Sequence, residues 1–288
     1  MKPPPFEYFR PASLGAALEL LAQRSDAKPL AGGQSLIPAM NFRLAAPAAL
    51  VDLNRLGELA GIEERDGRIR IGALTRHAEV ERSPLIGRKL PLLAEAMGHV
   101  AHPQIRTRGT MGGSLAHADP AAELPAVMLA LEAEVVLRSA GGERKVPAEK
   151  FFTGLFQTAL EPGELIVAVE IPVPGPGSGS AFEEFARRHG DYALVGVAVQ
   201  AWNAAPGRPG RVRIALLSVG DGPVLARRAM ERLEAGSIDA TAIGEAADLV
   251  ADEEIDPPGD LHATAAYRRQ LARVLVGRAV HRLHRLHR

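Results

Sequence analysis

Two short runs carry most of the chemistry legible in this chain: Ala31-Gly32-Gly33-Gln34-Ser35 and Thr110-Met111-Gly112-Gly113-Ser114. Adjacent glycines free the backbone to take positive φ, and they leave no side chain between consecutive N–H groups and a bulky anion. A hydroxyl follows each pair. Corners of this kind, placed where an apolar strand ends, bind phosphate with amide dipoles and a hydroxyl donor in place of a lysine. Two of them suggest two phosphates, and the pattern predicts that both converge on the diphosphate of one dinucleotide. Gly-Gly also occurs in ordinary turns, so neither run alone identifies a ligand.

Other chemistries find little support. No Gly-x-Gly-x-x-Gly follows a strand and no Gly-x-x-x-x-Gly-Lys-Ser/Thr occurs, so the two familiar nucleotide fingerprints are absent. His77, His99, His102 and His117 fit no zinc spacing. Zero cysteines means no disulfide, no thiol nucleophile and no cysteine-held iron-sulfur cluster in this chain. No acid-base pair can be nominated from spacing, so neither a catalytic residue nor a metal ligand is expected.

The elements that must position the corners follow from periodicity. Ser13 caps a helix carrying Leu14, Leu18 and Leu21, after a proline-rich arm from Pro3 to Pro11 that should run extended. The short run Pro29-Leu30-Ala31 leads into the first corner, and Leu50-Val51-Asp52-Leu53 is the next strand, which gives a βαβ-like unit. Arg68 to Ala73 alternates as a half-exposed strand. Thr75 is placed to cap a short helix, and Leu85 to Met97 is expected to be one longer helix. After the second corner, Asp119-Pro120 has the form of a helix start with Glu123 one turn in. Strands then dominate at 133–138, 165–171, 181–187, 193–202 and 212–219, and helices follow at 225–233, 240–250 and 263–286. The densest Gly/Pro stretch, Pro172 to Gly179, marks a domain boundary.

Composition sets the outer limits. The 288 residues are enough for two or three subdomains, and 47% apolar content can bury full cores. Acidic and basic side chains balance at 34 each, which gives no general attraction to nucleic acid or anionic lipid. No leader-like or bilayer-spanning run is visible, so a cytoplasmic protein is expected. From Tyr267 onward the chain holds seven arginines and no acidic residue, an amphipathic helix whose basic side should meet solvent or an acidic partner.

The residues Leu30-AGGQSL-Ile37-Pro38, Phe42-Arg43-Leu44, Val51-Asp52-Leu53 and Gln104-Ile105-Arg106-Thr107-Arg108-Gly109-TMGGSLAHADP resemble those of the FAD-binding medium subunit of molybdenum hydroxylases. That family includes aerobic carbon monoxide dehydrogenase and xanthine dehydrogenase, and the similarity runs over essentially the whole chain. It implies an α+β protein: a vanillyl-alcohol-oxidase-like (PCMH-type) FAD-binding fold of two subdomains, plus a C-terminal antiparallel sheet with helices. The expected divisions are 1–57, 58–175 and 176–288.

Carried residue by residue, the resemblance implies noncovalent FAD held by Ala31, Gly32, Gly33, Gln34, Ser35, Leu36, Thr110, Gly112, Gly113 and Ser114 around its diphosphate. Glu123, and more weakly Asp119, would meet sugar-like hydroxyls, Ile166 would pack beside the flavin or adenine, and Tyr192 would lie near the isoalloxazine. Gln34 and Ser114 depart from the carbon monoxide dehydrogenase pattern without removing backbone amides. The implied partners are a large molybdopterin-binding subunit and a small [2Fe-2S] subunit, in a dimer of heterotrimers that binds no nucleic acid and spans no membrane. The implied role is electron transfer from the clusters to an external acceptor; the alternative is a self-sufficient flavin oxidase acting directly on a small substrate.

Overall fold

The structure, a computed structural model, describes residues 2–202 and 210–286. The chain opens with β1 (Glu7–Phe9), α1 (Leu14–Gln23), β2 (Ala27–Leu30), α2 (Leu36–Asn41) and β3 (Ala49–Asp52), whose strands form a parallel sheet in the order β1-β3-β2. Ser13 accepts from Ala16 N at 3.2 Å as the cap of α1, which buries Leu14, Ala17, Leu18 and Leu21. The proline-rich arm is therefore more than an extended lead-in, because β1 completes the sheet with Glu7 opposite Ala49. The connection β2-α2-β3 is a βαβ unit whose turn is the first glycine corner.

Next come β4 (Ile62–Arg65), β5 (Arg68–Gly72), α3 (His77–Arg82), α4 (Pro84–Lys89), α5 (Pro91–Met97), α6 (Pro103–Arg106), α7 (Met111–His117) and α8 (Glu123–Ala130). They are followed by β6 (Glu134–Ser139), β7 (Gly142–Pro147), α9 (Ala148–Phe151), the small hairpin of β8 (Phe152–Gly154) and β9 (Gln157–Thr158), and β10 (Leu165–Pro172). An antiparallel sheet of order β4-β5-β10-β6-β7 backs the helices. Leu85 to Met97 is not one helix. Pro91 lacks an N–H and opens a new helix, so the segment divides into α4 and α5. Thr75 does not cap α3; its hydroxyl donates to Gly61 O and accepts from Gly61 N, and Glu79 closes the helix start by accepting from Arg76 N.

The C-terminal part is an antiparallel sheet of β11 (Gly179–Ala186), β12 (Ala193–Trp202), β13 (Arg211–Leu217) and β14 (Val224–Leu225), covered by α10 (Arg227–Glu234), α11 (Ala240–Leu249) and α12 (Ala265–Leu286). Three apolar cores result. One lies under α1 and the parallel sheet, the largest lies between the helices and the central sheet, and the third lies between the last sheet and its helices.

Four arginines of α12 are paired within the chain, while Arg278 is exposed. Arg268 donates to Leu194 O and Asp260, Arg269 to Asp256 and the carbonyls of Ala251 and Ile255, and Arg273 to Asp248 and Asp252. Arg282 reaches across to α5 and holds both oxygens of Glu95, at 2.6 and 2.5 Å. The side chains of residues 284–288 lie outside the described residues. Among the described residues no helix is long and apolar enough to cross a membrane.

Candidate functional site

The two glycine corners, remote in sequence, touch. A Cβ placed on Gly32 would lie 2.2 Å from the carbonyl oxygen of Arg108, and one placed on Gly113 would lie 3.9 Å from the Cβ of Ala31. Only glycine permits the first of these approaches. The corners nevertheless differ in kind. Gly33 has φ +73, the left-handed turn expected of a phosphate corner, and the N–H groups of Gly32, Gly33, Gln34, Ser35 and Leu36 have no acceptor among the described residues. Such a run of unpaired donors can receive an anion.

The second corner is helical. Thr110 is the N-cap of α7 and accepts from Gly113 N at 3.1 Å, Met111 N donates to Thr75 O, and Gly112 N donates to Ala73 O at 2.8 Å. Neither glycine here has positive φ, and these amides are already spent. Gly112 is required by proximity instead, since a Cβ there would sit 2.6 Å from the Cβ of Ala73. What this corner can offer a ligand is the Ser114 hydroxyl, which has no partner among the described residues, and a floor without side chains.

A polar group forms where the start of α8, the turn after α5 and β11 meet. Glu123, at the start of α8, is 8% exposed and makes no side-chain hydrogen bond among the described residues. Burial, then the charge of Glu184, pushes its carboxyl up to about 8, so near neutral pH it is protonated and can both donate and accept. Glu184, on β11, is held by His99 across a 3.8 Å gap between Nδ1 and Oε1, and its other oxygen is buried without a partner. Hydrogen bonding to Glu184 raises the His99 pKa against the opposing effect of burial, and Phe182 covers the imidazole at 5.1 Å.

Asp119 does not begin a helix, since α8 starts at Glu123; its carboxylate instead accepts from Ala121 N at 2.9 Å and faces His117 at 3.9 Å. Tyr192 is 70% exposed. Desolvation of its phenol, then the charges of Asp119, Glu123 and Asp191, raise its pKa. Phe156 lies on the His117 imidazole at 5.1 Å with most of its ring open.

Ile166 does not join them. Its side chain fills the largest core, while Leu165 and Val167, on the opposite face of β10, belong to the smaller core onto which Ala31 packs. Sequence reasoning overlooked Glu184 and weighed His99 only against zinc spacing; their pairing rests on a contact between β11 and the turn after α5 that no local pattern reveals. Among the described residues no group of acidic, histidine or cysteine side chains could hold a metal ion.

The free amides of the first corner can receive an anion, and the chain also holds a buried protonated carboxyl and exposed aromatic rings. Residues 4–174 match the family described as the FAD binding domain in molybdopterin dehydrogenase, and residues 180–283 match the carbon monoxide dehydrogenase flavoprotein C-terminal domain. The chain belongs to the FAD-binding family of molybdopterin dehydrogenases. It is thus an oxidoreductase flavoprotein subunit, and FAD is its cofactor. It is 47% identical to the 6-hydroxypseudooxynicotine dehydrogenase complex subunit alpha of Paenarthrobacter nicotinovorans, over 99% of this chain and 97% of that one. It is 42% identical to the caffeine dehydrogenase subunit beta of a Pseudomonas species, over 98% and 96%. Among solved structures, the carbon monoxide dehydrogenase of Hydrogenophaga pseudoflava superposes with a TM-score of 0.95 at 41% identity, covering 98% of each chain.

Proposed function

We propose that this flavoprotein is the electron-transfer subunit of a molybdenum hydroxylase, working beside a large molybdopterin subunit and a small [2Fe-2S] subunit in a cytoplasmic dimer of heterotrimers. Substrate would be oxidised on the large partner, and the electrons would cross the iron-sulfur clusters to this chain and leave for an external acceptor. When bound, FAD supplies the junction between one-electron and two-electron transfer. The observation that carries this reading is the run of unpartnered amides from Gly32 to Leu36 set against the second glycine corner.

In this reading the amides of Gly32, Gly33, Gln34, Ser35 and Leu36, reached from Ala31, bind the diphosphate. Ser114 adds a hydroxyl, and Thr110, Gly112 and Gly113 form the floor. Glu123, with Asp119 beside it, binds ribityl or ribose hydroxyls, and its protonated carboxyl can pair with either partner of a diol. Tyr192 shields the ring end of the site. Ile166, enclosed in the core, is given no ligand role. The chain's part is to bind, orient and exclude water, with divisions at 57/58 and 175/176 separating its three parts.

A self-sufficient oxidase is the weaker reading, because the polar cluster sits where the cofactor's hydroxyls are expected and leaves no base for a substrate. The test is to purify the chain alone and with the polypeptides that accompany it. One FAD per chain, with substrate oxidation confined to the complex, is the expected result. A colourless chain, or one that oxidises a small substrate unaided, would overturn the proposal.

A further inference from the structure

The corners are joined by more than contact. Asn54, just after β3, donates from Nδ2 to Ala31 O at 2.8 Å and so holds the first corner by its carbonyl. Its Oδ1 accepts from Arg76 Nη2 at 2.7 Å, and Arg76 Nη1 donates to Arg108 O at 2.5 Å. That oxygen is the atom on which Gly32 closes. The backbone of Arg76 belongs to the other side: it forms an isolated antiparallel bridge with Thr110, the neighbouring His77 N donates to Gly109 O at 3.0 Å, and Met111 N donates to Thr75 O. One residue thus carries the second corner on its main chain and reaches the first with its side chain.

The far end of this chain of bonds is anchored as well. Asn54 Nδ2 and Asn54 N both donate to Asp52 Oδ1, at 2.6 and 2.9 Å, and the Tyr8 hydroxyl of β1 donates to Asp52 Oδ2. Burial opposes ionisation of this carboxyl, yet the hydrogen bonds from Tyr8 and Asn54, with Arg10 nearby, hold it below its usual range. The amide orientation of Asn54 is fixed by having donors and acceptors on opposite sides.

Arg76 differs from the other half-buried arginines of the chain. The half-buried Arg68, Arg70 and Arg144 and the buried Arg106, Arg213 and Arg268 each meet a carboxylate, whereas both Arg76 contacts are neutral oxygens, and Glu79 and Asp52 act on it only from beyond ion-pair distance among the described residues. A partly desolvated guanidinium without a counter-ion is costly. Its cost is offset where an anion completes the site, and a planar fork reaching two oxygens positions that charge more firmly than a lysine could.

We propose that Asn54 and Arg76 form a clasp that sets the spacing of the two glycine corners and puts a fixed positive charge at their seam. They are positioning residues for the FAD diphosphate. This rests on the cofactor site proposed above, which it deepens by naming where the formal charge comes from and what keeps the corners in register.

The experiment uses the full chain in its complex and measures dissociation constants for FAD and for ADP, which shares the diphosphate but lacks the flavin. Arg76→Gln and Asn54→Ala are expected to weaken both ligands by about tenfold to a hundredfold, the range for a lost charge-assisted hydrogen bond. Arg76→Lys retains the charge and should recover part of the loss. Affinity of the wild type should fall with added salt, and Arg76→Gln should flatten that dependence, which a merely structural role would not do. Unchanged affinities, or a salt dependence identical in wild type and Arg76→Gln, would overturn the clasp. Absence of FAD and ADP binding by the wild type would instead overturn the underlying site. Melting of each variant without nucleotide reports whether it has folded, and Asn54→Asp, which keeps an acceptor for Arg76 but loses the donor to Ala31, supplies a second variant should Asn54→Ala fail that check.

Discussion

The buried carboxyl of Glu123 gives the most quantitative prediction. Glu123→Gln removes its titration while keeping shape and hydrogen-bonding capacity. In the folded chain this carboxyl titrates near 8 against 4.5 for an ordinary glutamate, raised first by burial and then by Glu184, with Asp119 adding to the shift and His99 opposing it. Between those values the folded state holds a proton that the unfolded chain has released, so stability falls as pH rises through the window and levels off above it. Each pH unit there costs about 1.4 kcal/mol. Across the interval from 4.5 to about 8 the loss sums to roughly 5 kcal/mol, an upper value because water entry would relax it.

The assay is thermal melting of the nucleotide-free chain from pH 5 to 9, wild type against Glu123→Gln. The variant should show a much shallower decline and melt higher at pH 8.5, by up to about 10 °C at roughly 2 °C per kcal/mol for a chain of this size. It should also bind FAD more weakly in the complex. Parallel pH slopes for the two proteins would refute the reasoning, because they would mean that Glu123 is solvated or already paired.

Other outcomes follow from single contacts. Gly32→Ala drives a methyl into the Arg108 carbonyl, and Gly33→Ala strains a residue at φ +73 by about 1 kcal/mol; both should lose FAD, the first more completely, as read by flavin fluorescence released on gel filtration. His99→Gln should reduce stability only at low pH. The Glu184 partner raises the His99 pKa, so its contribution is present below 6.5 and fades as pH rises through the folded value, a trend visible in pH-dependent melts. Arg268→Ala leaves the Leu194 carbonyl and Asp260 unsatisfied around a residue 5% exposed, and should destabilise by about 3 kcal/mol in denaturant titration. Arg282→Ala opens a partly exposed link to Glu95 and should cost only about 1 kcal/mol in the same titration.

What the sequence disclosed, and what it withheld, divides along physical lines. Local rules sufficed for the Ser13 cap, the strand before the first corner and the left-handed Gly33, because each depends on neighbours within a few positions. The second corner looked like the first in composition, yet Thr110 turned it into a helix start and closeness to Ala73 became the reason for Gly112, which only tertiary contact can dictate. Pro91 divides the 85–97 segment by lacking the N–H that a continuous helix needs, which outweighs the apolar spacing across it. Ile166 lies in the core on the opposite face of β10 from Leu165 and Val167, because side chains on a strand alternate. Asn54, Arg76, His99 and Glu184 carry no motif; their partners are distant in sequence, so their roles emerge only once the cores are assembled.

The seam at Arg108 O joins the two glycine corners, and the core beneath the parallel sheet is shared across it, because β6 and β10 of the central sheet supply Val136, Leu165 and Val167. The parallel sheet therefore cannot part from the central sheet without opening that core. In the proposed site a nucleotide would fill this joint, and with a shared core beneath it the least disruptive path in or out is loosening of the Gly32–Leu36 turn rather than parting of the sheets. Amide exchange from Gly32 to Leu36 should accordingly be fast in the empty chain and nearly silent once the joint is filled, while the strands on both sides exchange at the same slow rate in either state.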